Sequence, residues 1–119
     1  MKHTMKLHDA PYDMIKSGRK TIELRLYDEK RRMISVGDEI EFLNSKNPDM
    51  ALHCRVLNIH KFPSFGDLYK ELPLLKCGYT EEDIATASPS DMDLYYSSDK
   101  QEKYGVIGIE IELFGGTGV

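Results

Sequence analysis

Gly18-Arg19-Lys20-Thr21-Ile22-Glu23-Leu24-Arg25 sets charges of both signs into a segment that otherwise reads as a half-buried strand. Ile22, Leu24 and Leu26 alternate with Thr21, Glu23 and Arg25, the period of a strand with one apolar and one polar face. Glu23 and Arg25 therefore point the same way, and at that spacing they either pair with each other or converge on a shared ligand. The Arg25 guanidinium is a rigid fork of donors suited to carboxylate, phosphate or base edges, whereas a plain surface ion pair would contribute little. Lys20 falls on the opposite face of a regular strand over residues 20–27. It reaches Glu23 only if the chain at Lys20 and Thr21 is bent or still leaving the preceding turn.

Working outward, Asp9 is placed to cap a short helix over residues 10–17, with Pro11 in its first turn and Gly18 as its stop. Residues 5–8 precede it as a short first strand. Residues 28–35 form a charged connection, and Val36-Gly37-Asp38 turns the chain into a strand over 39–43, where Ile40 and Phe42 alternate with Glu39 and Glu41. Residues 44–49 have loop composition. The longest strand is predicted over 51–62. Leu52, Cys54 and Val56 lie on one face and Leu57 and Ile59 on the other, which implies a β-bulge near Val56 and Leu57.

Phe62, Phe65, Leu68, Tyr69, Leu72 and Leu75 gather around a helix over 65–72 and read as core. Thr80 caps a helix beginning Glu81-Glu82-Asp83, and Ser88-Pro89-Ser90-Asp91 starts another, with Met92, Tyr95 and Tyr96 on one face. A closing strand over 104–114 carries Ile107, Ile109, Ile111 and Leu113 in strict alternation, and Gly108 permits a bend or a close approach. The order of elements is that of an α+β domain.

Gly18, Lys20, Glu23 and Arg25 match, position by position, the GxKxxExR signature of the ASCH domain family, which the chain resembles from about His3 to Phe114. The helix ending at Gly18 and the Gly37-Asp38 turn into an Ile/Phe strand fit that family's context. The resemblance implies a small mixed-strand PUA-like β-barrel flanked by short helices. Residues 1–114 then form one domain, and 115–119 a disordered tail. In that family the signature lines a cleft beside the barrel, so the resemblance implies a site for RNA or a nucleotide-like ligand. Its residues would be Gly18, Lys20, Thr21, Glu23 and Arg25. Tyr27, Tyr95, Tyr96 and Tyr104 are the rings available to stack a base, and Tyr104 is taken into the ligand site.

The roles that follow are Arg25 as a planar donor to phosphate or base carbonyl, Lys20 as a point charge or a base of lowered pKa, and Glu23 as the acceptor that orients them. One branch of the family removes the acetyl group from acetylated cytidine with a Lys and a Thr of the signature and a distant Glu. Here Lys20 is kept but Glu23 stands in place of that Thr, so Thr21 would have to serve as nucleophile. A ribonuclease would instead use Lys20 and Glu23 as catalytic acid and base. A third class of partner is an anionic metabolite or a protein.

The chain of 119 residues has a net charge of -4, which opposes long-range attraction to nucleic acid. The distribution is uneven. Residues 1–32 hold nine Lys and Arg against five acids, and the rest of the chain is strongly acidic. A basic patch on an acidic body suits a local anion contact rather than a non-specific sleeve. Cys54 and Cys77 lack metal-ligand spacing, and His3, His8, His53 and His60 share no short spacing, so no metal and no cofactor is expected. No apolar run has membrane-spanning length and residues 1–6 lack a signal-peptide core, which points to a soluble cytoplasmic protein with no membrane partner.

Overall fold

The alternating apolar positions build one five-stranded sheet in a computed structural model that describes residues 1–117. Its strands are β1 (Lys2–Leu7), β2 (Ile22–Leu26), β3 (Glu39–Asn44), β4 (Ala51–Phe62) and β5 (Val106–Gly116), in the order β1-β3-β4-β5-β2. β1 runs parallel to β3 and every other neighbouring pair is antiparallel. The sheet curls into a half barrel whose free edges are β1 and β2, giving the expected α+β, mixed-strand PUA-like architecture. Helices α1 (Asp9–Lys16), α2 (Phe65–Glu71) and α3 (Ser98–Tyr104) flank it.

Both faces of the sheet are covered. One core cluster joins Met5, Tyr12, Ile15, Phe42, Val56 and Ile109 beneath α1, and the other joins Ile22, Leu24, Leu26, Phe65, Leu68 and Val106 beneath α2. Each fully buried aliphatic or aromatic side chain contributes about 1.5–3 kcal/mol. Since Ile22, Leu24 and Leu26 serve the second cluster, strand alternation turns Glu23 and Arg25 toward the first.

The β4 register with β5 shifts between Val56 and Asn58, where the bulge was expected, and also between His53 and Cys54. The first shift leaves Leu57 exposed and returns Ile59 to the core face used by Cys54 and Val56, which a regular strand would have denied it. Asp9 is the first residue of α1 rather than its cap. Its carboxylate accepts instead from Asn44 Nδ2 at 2.9 Å, tying α1 to the end of β3.

Three expectations are corrected. Residues 72–97 contain short 3-10 turns at Leu74–Lys76, Ile84–Thr86 and Pro89–Leu94 instead of two helices. Thr80 does bond the Asp83 carboxylate, but Pro89 forces Ser88 into an extended conformation and stops the coil after one turn. Tyr104 ends α3 and is not in the closing strand, because Gly105 at φ +70° breaks the chain before β5. The tail does not become irregular at 115: Gly115 and Gly116 continue β5, and Thr117 N–H donates to Ala51 O at 2.8 Å. Gly118 and Val119 lie outside the described residues. Among the described residues no helix is long and apolar enough to cross a membrane.

Gly108 is paired with Leu24 and His60, and a Cβ added there would meet Leu72 Cδ1 at 2.6 Å. The close approach is thus by a side chain. Gly108→Val is expected to cost about 1–3 kcal/mol by overpacking, and Leu72→Ala in the same chain to return part of that loss. Urea unfolding of the two single variants and the double variant checks this, since strict additivity would mean that Leu72 is not the obstruction.

Candidate functional site

The helix-to-strand junction brings Lys20 to the face that a regular strand would deny it. Gly18 takes φ +82°, a conformation open to glycine, Lys20 N–H donates back to Met14 O at 3.0 Å, and Thr21 N–H donates to Lys76 O at 2.9 Å. The strand begins only at Ile22, so Lys20 and Thr21 remain in the bend. Lys20 Nζ then lies 2.7 Å from Glu23 Oε1.

The second Glu23 oxygen accepts from Arg25 Nε at 3.0 Å and lies 2.9 Å from Arg25 Nη2. Nη2 also donates to Lys6 O on β1 at 2.9 Å, so one guanidinium spans the two free edges of the sheet. The polar face of β2 is therefore not solvated as its alternation implied. Glu23 is only 3% exposed, because the curl of the sheet carries β1 across it. Burial alone would raise the Glu23 pKa, but Lys20 and then Arg25 outweigh it and hold the group at about 2. Burial likewise works against the Arg25 charge, and Glu23 reverses this so that the Arg25 pKa is raised. One carboxylate between two cations leaves one positive charge in a largely desolvated place.

This trio forms the floor of a cleft of about 810 Å³. Lys6, Pro11 and Met14 border it on one side, and Tyr69, Tyr79 and Tyr95 on the other. Gly78, at φ +112°, lies against the Lys20 stem, with its would-be Cβ 3.5 Å from Lys20 Cδ. Cys77 and Cys54 are buried thiols pushed up to about 11 and about 12 by desolvation, unsuited to nucleophilic work.

The tyrosine wall has a direction. Tyr79 O–H donates to Asp91 Oδ2 at 2.6 Å, and the two phenolic oxygens of Tyr69 and Tyr79 lie 2.6 Å apart. The Tyr79 bond holds the Asp91 carboxyl below its usual range. With the Tyr79 proton committed to Asp91, Tyr69 is the donor to Tyr79, and its own oxygen retains only acceptor capacity. At the rim Tyr95 is 64% exposed, while Tyr96 stacks on Phe65 with ring centroids 6.1 Å apart.

Of the residues predicted from sequence, Lys20, Glu23 and Arg25 converge on the cleft. Gly18 supplies the turn, and with Thr21 it borders a separate hollow of about 340 Å³ beside Glu110. Tyr104 does not line the cleft, because as the last residue of α3 it follows the helix and not β5. Tyr27 does not line it either. Tyr69, Tyr79, Asp91 and Gly78 were not anticipated: Tyr69 read as core and Asp91 only as part of a helix start, where its carboxylate also accepts from Ser88 N–H. His3, His53 and His60 each pair with a carboxylate, Asp38, Glu39 and Glu110 respectively. Among the described residues no group of three or more His, Cys, Asp or Glu could hold a metal ion.

Comparison with known proteins gives the same architecture. The family model described as the ASCH domain matches residues 5–114. The crystal structure of hypothetical protein PH0355 is similar at 34% identity and a TM-score of 0.79, covering 96% of this chain and 100% of that one. The solution structure of protein PF0455 from Pyrococcus furiosus is also 34% identical, with a TM-score of 0.73 over 96% and 98% of the two chains. The ASCH crystal structure from Zymomonas mobilis shares the fold alone, at 14% identity and a TM-score of 0.64 over 97% and 69%. No curated protein matches the sequence.

Glu23 has a folded pKa of about 2 against an ordinary value of 4.5, so its stabilising contribution is fully present above pH 4.5 and is lost as the pH falls toward 2. Glu23→Gln, which leaves two buried cations without their carboxylate, is expected to cost about 3–5 kcal/mol at neutral pH. The gap from wild type should close across that acid range in urea unfolding. Some acid dependence should persist through Asp38, which His3 and the Ser35 N–H hold at about 2. An unchanged acid limb in Glu23→Gln would mean that Glu23 is not the group.

Proposed function

The chain belongs to the ASCH domain family, and on that premise we propose that it binds RNA or a nucleotide-like ligand in the cleft between β1 and the 77–96 segment. The observation that carries the reading is the outnumbered carboxylate. Glu23 neutralises one of the two cations within its reach and leaves the other charge for a ligand. Two Lys20 ammonium protons and the Arg25 Nη1 group are unused by protein partners among the described residues. They suit a phosphate or a base carbonyl. A cleft of about 810 Å³ falls in the size range of small-ligand sites. The exposed Tyr95 ring offers a stacking surface of the kind worth about 1–3 kcal/mol per base.

Use of Lys20 and Glu23 as a hydrolytic pair has weaker support. A carboxylate held at about 2 is a poor proton acceptor at neutral pH. Thr21, the hydroxyl that would have to replace the missing nucleophile, borders the smaller hollow. An anionic metabolite would use the same cationic floor, and a protein partner would not need it.

The reading is tested by titrating the protein with short single-stranded RNA, nucleoside monophosphates and modified nucleosides, following both binding and product. Binding without turnover is expected, with affinity falling at least about tenfold in Lys20→Ala and in Arg25→Lys, which keeps the charge but loses the fork. Turnover abolished by Lys20→Ala would make the protein an enzyme. Absence of binding to every one of these ligands would remove the nucleic-acid reading.

A further inference from the structure

Glu23, Arg25 and Tyr27 occupy alternate positions, so the polar face of β2 leaves the cleft and runs toward Tyr27. Two residues of strand advance about 6.6 Å. The Tyr27 ring carries two cations: Arg32 Cζ lies 4.3 Å from its centroid and Lys61 Nζ 5.1 Å. Arg32 Nη2 also donates to Tyr104 O at 3.3 Å, and Lys103 Nζ lies 5.1 Å from the Tyr104 ring centroid. Lys61, Tyr27, Arg32, Tyr104 and Lys103 thus form one continuous chain of contacts on the surface.

None of these three cations has a carboxylate partner among the described residues. The nearest acids in sequence, Glu29, Asp67 and Glu102, form no ion pair with any of them, whereas neighbouring Arg31 is neutralised by Asp28 at 3.1 Å. In a chain with 20 acids and a net charge of -4, three exposed cations gathered without counter-charge repel one another. Their aromatic supports return only about 0.5–1 kcal/mol each. Such a cluster is stabilised by an external polyanion.

We propose that Arg32, Lys61 and Lys103, held on Tyr27 and Tyr104, form a phosphate track for single-stranded RNA, continuing from the cleft in which one nucleotide of that strand sits. The track rests on the cleft reading above. It gives Tyr27 and Tyr104 a part in binding as supports for cations rather than as stacking platforms.

The test compares uridine monophosphate with octauridylate, by fluorescence anisotropy or competition, between 50 and 200 mM salt. The proteins are the wild type, Lys20→Ala, and the triple variant Arg32→Gln, Lys61→Gln, Lys103→Gln, whose changes are all at exposed positions. In the triple variant the mononucleotide should bind as in wild type, the octamer should lose about tenfold or more, and the slope of log affinity against log salt should shrink by about 2, near 0.7 per cation removed. Lys20→Ala should weaken both ligands. An octamer that binds no tighter than the mononucleotide, or a salt slope unchanged in the triple variant, overturns the track while leaving the cleft. Octamer binding that responds to the triple variant but not to Lys20→Ala overturns the continuity of the two. Failure of both ligands to bind overturns the track together with the cleft.

Discussion

One buried carboxylate organises the open seam of this half barrel. Glu23 is on an edge strand, where unpaired backbone groups are ordinarily exposed, and it is held between Lys20 and Arg25 at distances of 2.7 and 2.9 Å. The guanidinium that neutralises it also reaches Lys6 O on the opposite edge. No backbone ladder joins β1 to β2, so this side-chain bridge links the two ends of the sheet order. Because isolated charges are costly to bury, the three groups constrain one another: each is tolerated in its place by the presence of the others.

The same constraint produces a cationic surface. Two cations on one carboxylate leave the floor of the cleft positive although the chain as a whole is acidic. Across the cleft, Asp91 fixes the Tyr79 proton and, through it, the direction of the Tyr69 hydroxyl. A ligand with an electron-rich group at one end and a hydrogen-bond donor at the other is matched by that polarity. Both cysteines, by contrast, are held in the thiol form by burial.

Much of this was readable in the residues, and the exceptions have physical causes. Residues 51–62 alternate strongly enough to give β4 its observed limits, and the change of apolar face at Val56 and Leu57 located the bulge. The signature identified Lys20, Glu23 and Arg25, but strand geometry alone would have separated Lys20 from the others, since the bend at Gly18 to Thr21 depends on hydrogen bonds to Met14 and Lys76. Helix α3, Ser98-Asp99-Lys100-Gln101-Glu102-Lys103-Tyr104, has no apolar period to announce it, which is why Tyr104 read as strand. Tyr69, Tyr79 and Asp91 are brought together by the turns of residues 72–97, whose long-range packing leaves no local pattern.

The central claim is that the charge left over by the Glu23 trio is what receives the ligand. The most direct measurement is an NMR titration of isotope-labelled protein with single-stranded RNA, following the Arg25 Nε–H, the Lys20 side chain and the Gly78 amide. The account predicts that these signals move together and saturate at the binding stoichiometry, with the Glu23 contacts retained. RNA binding that leaves all three unmoved would contradict it.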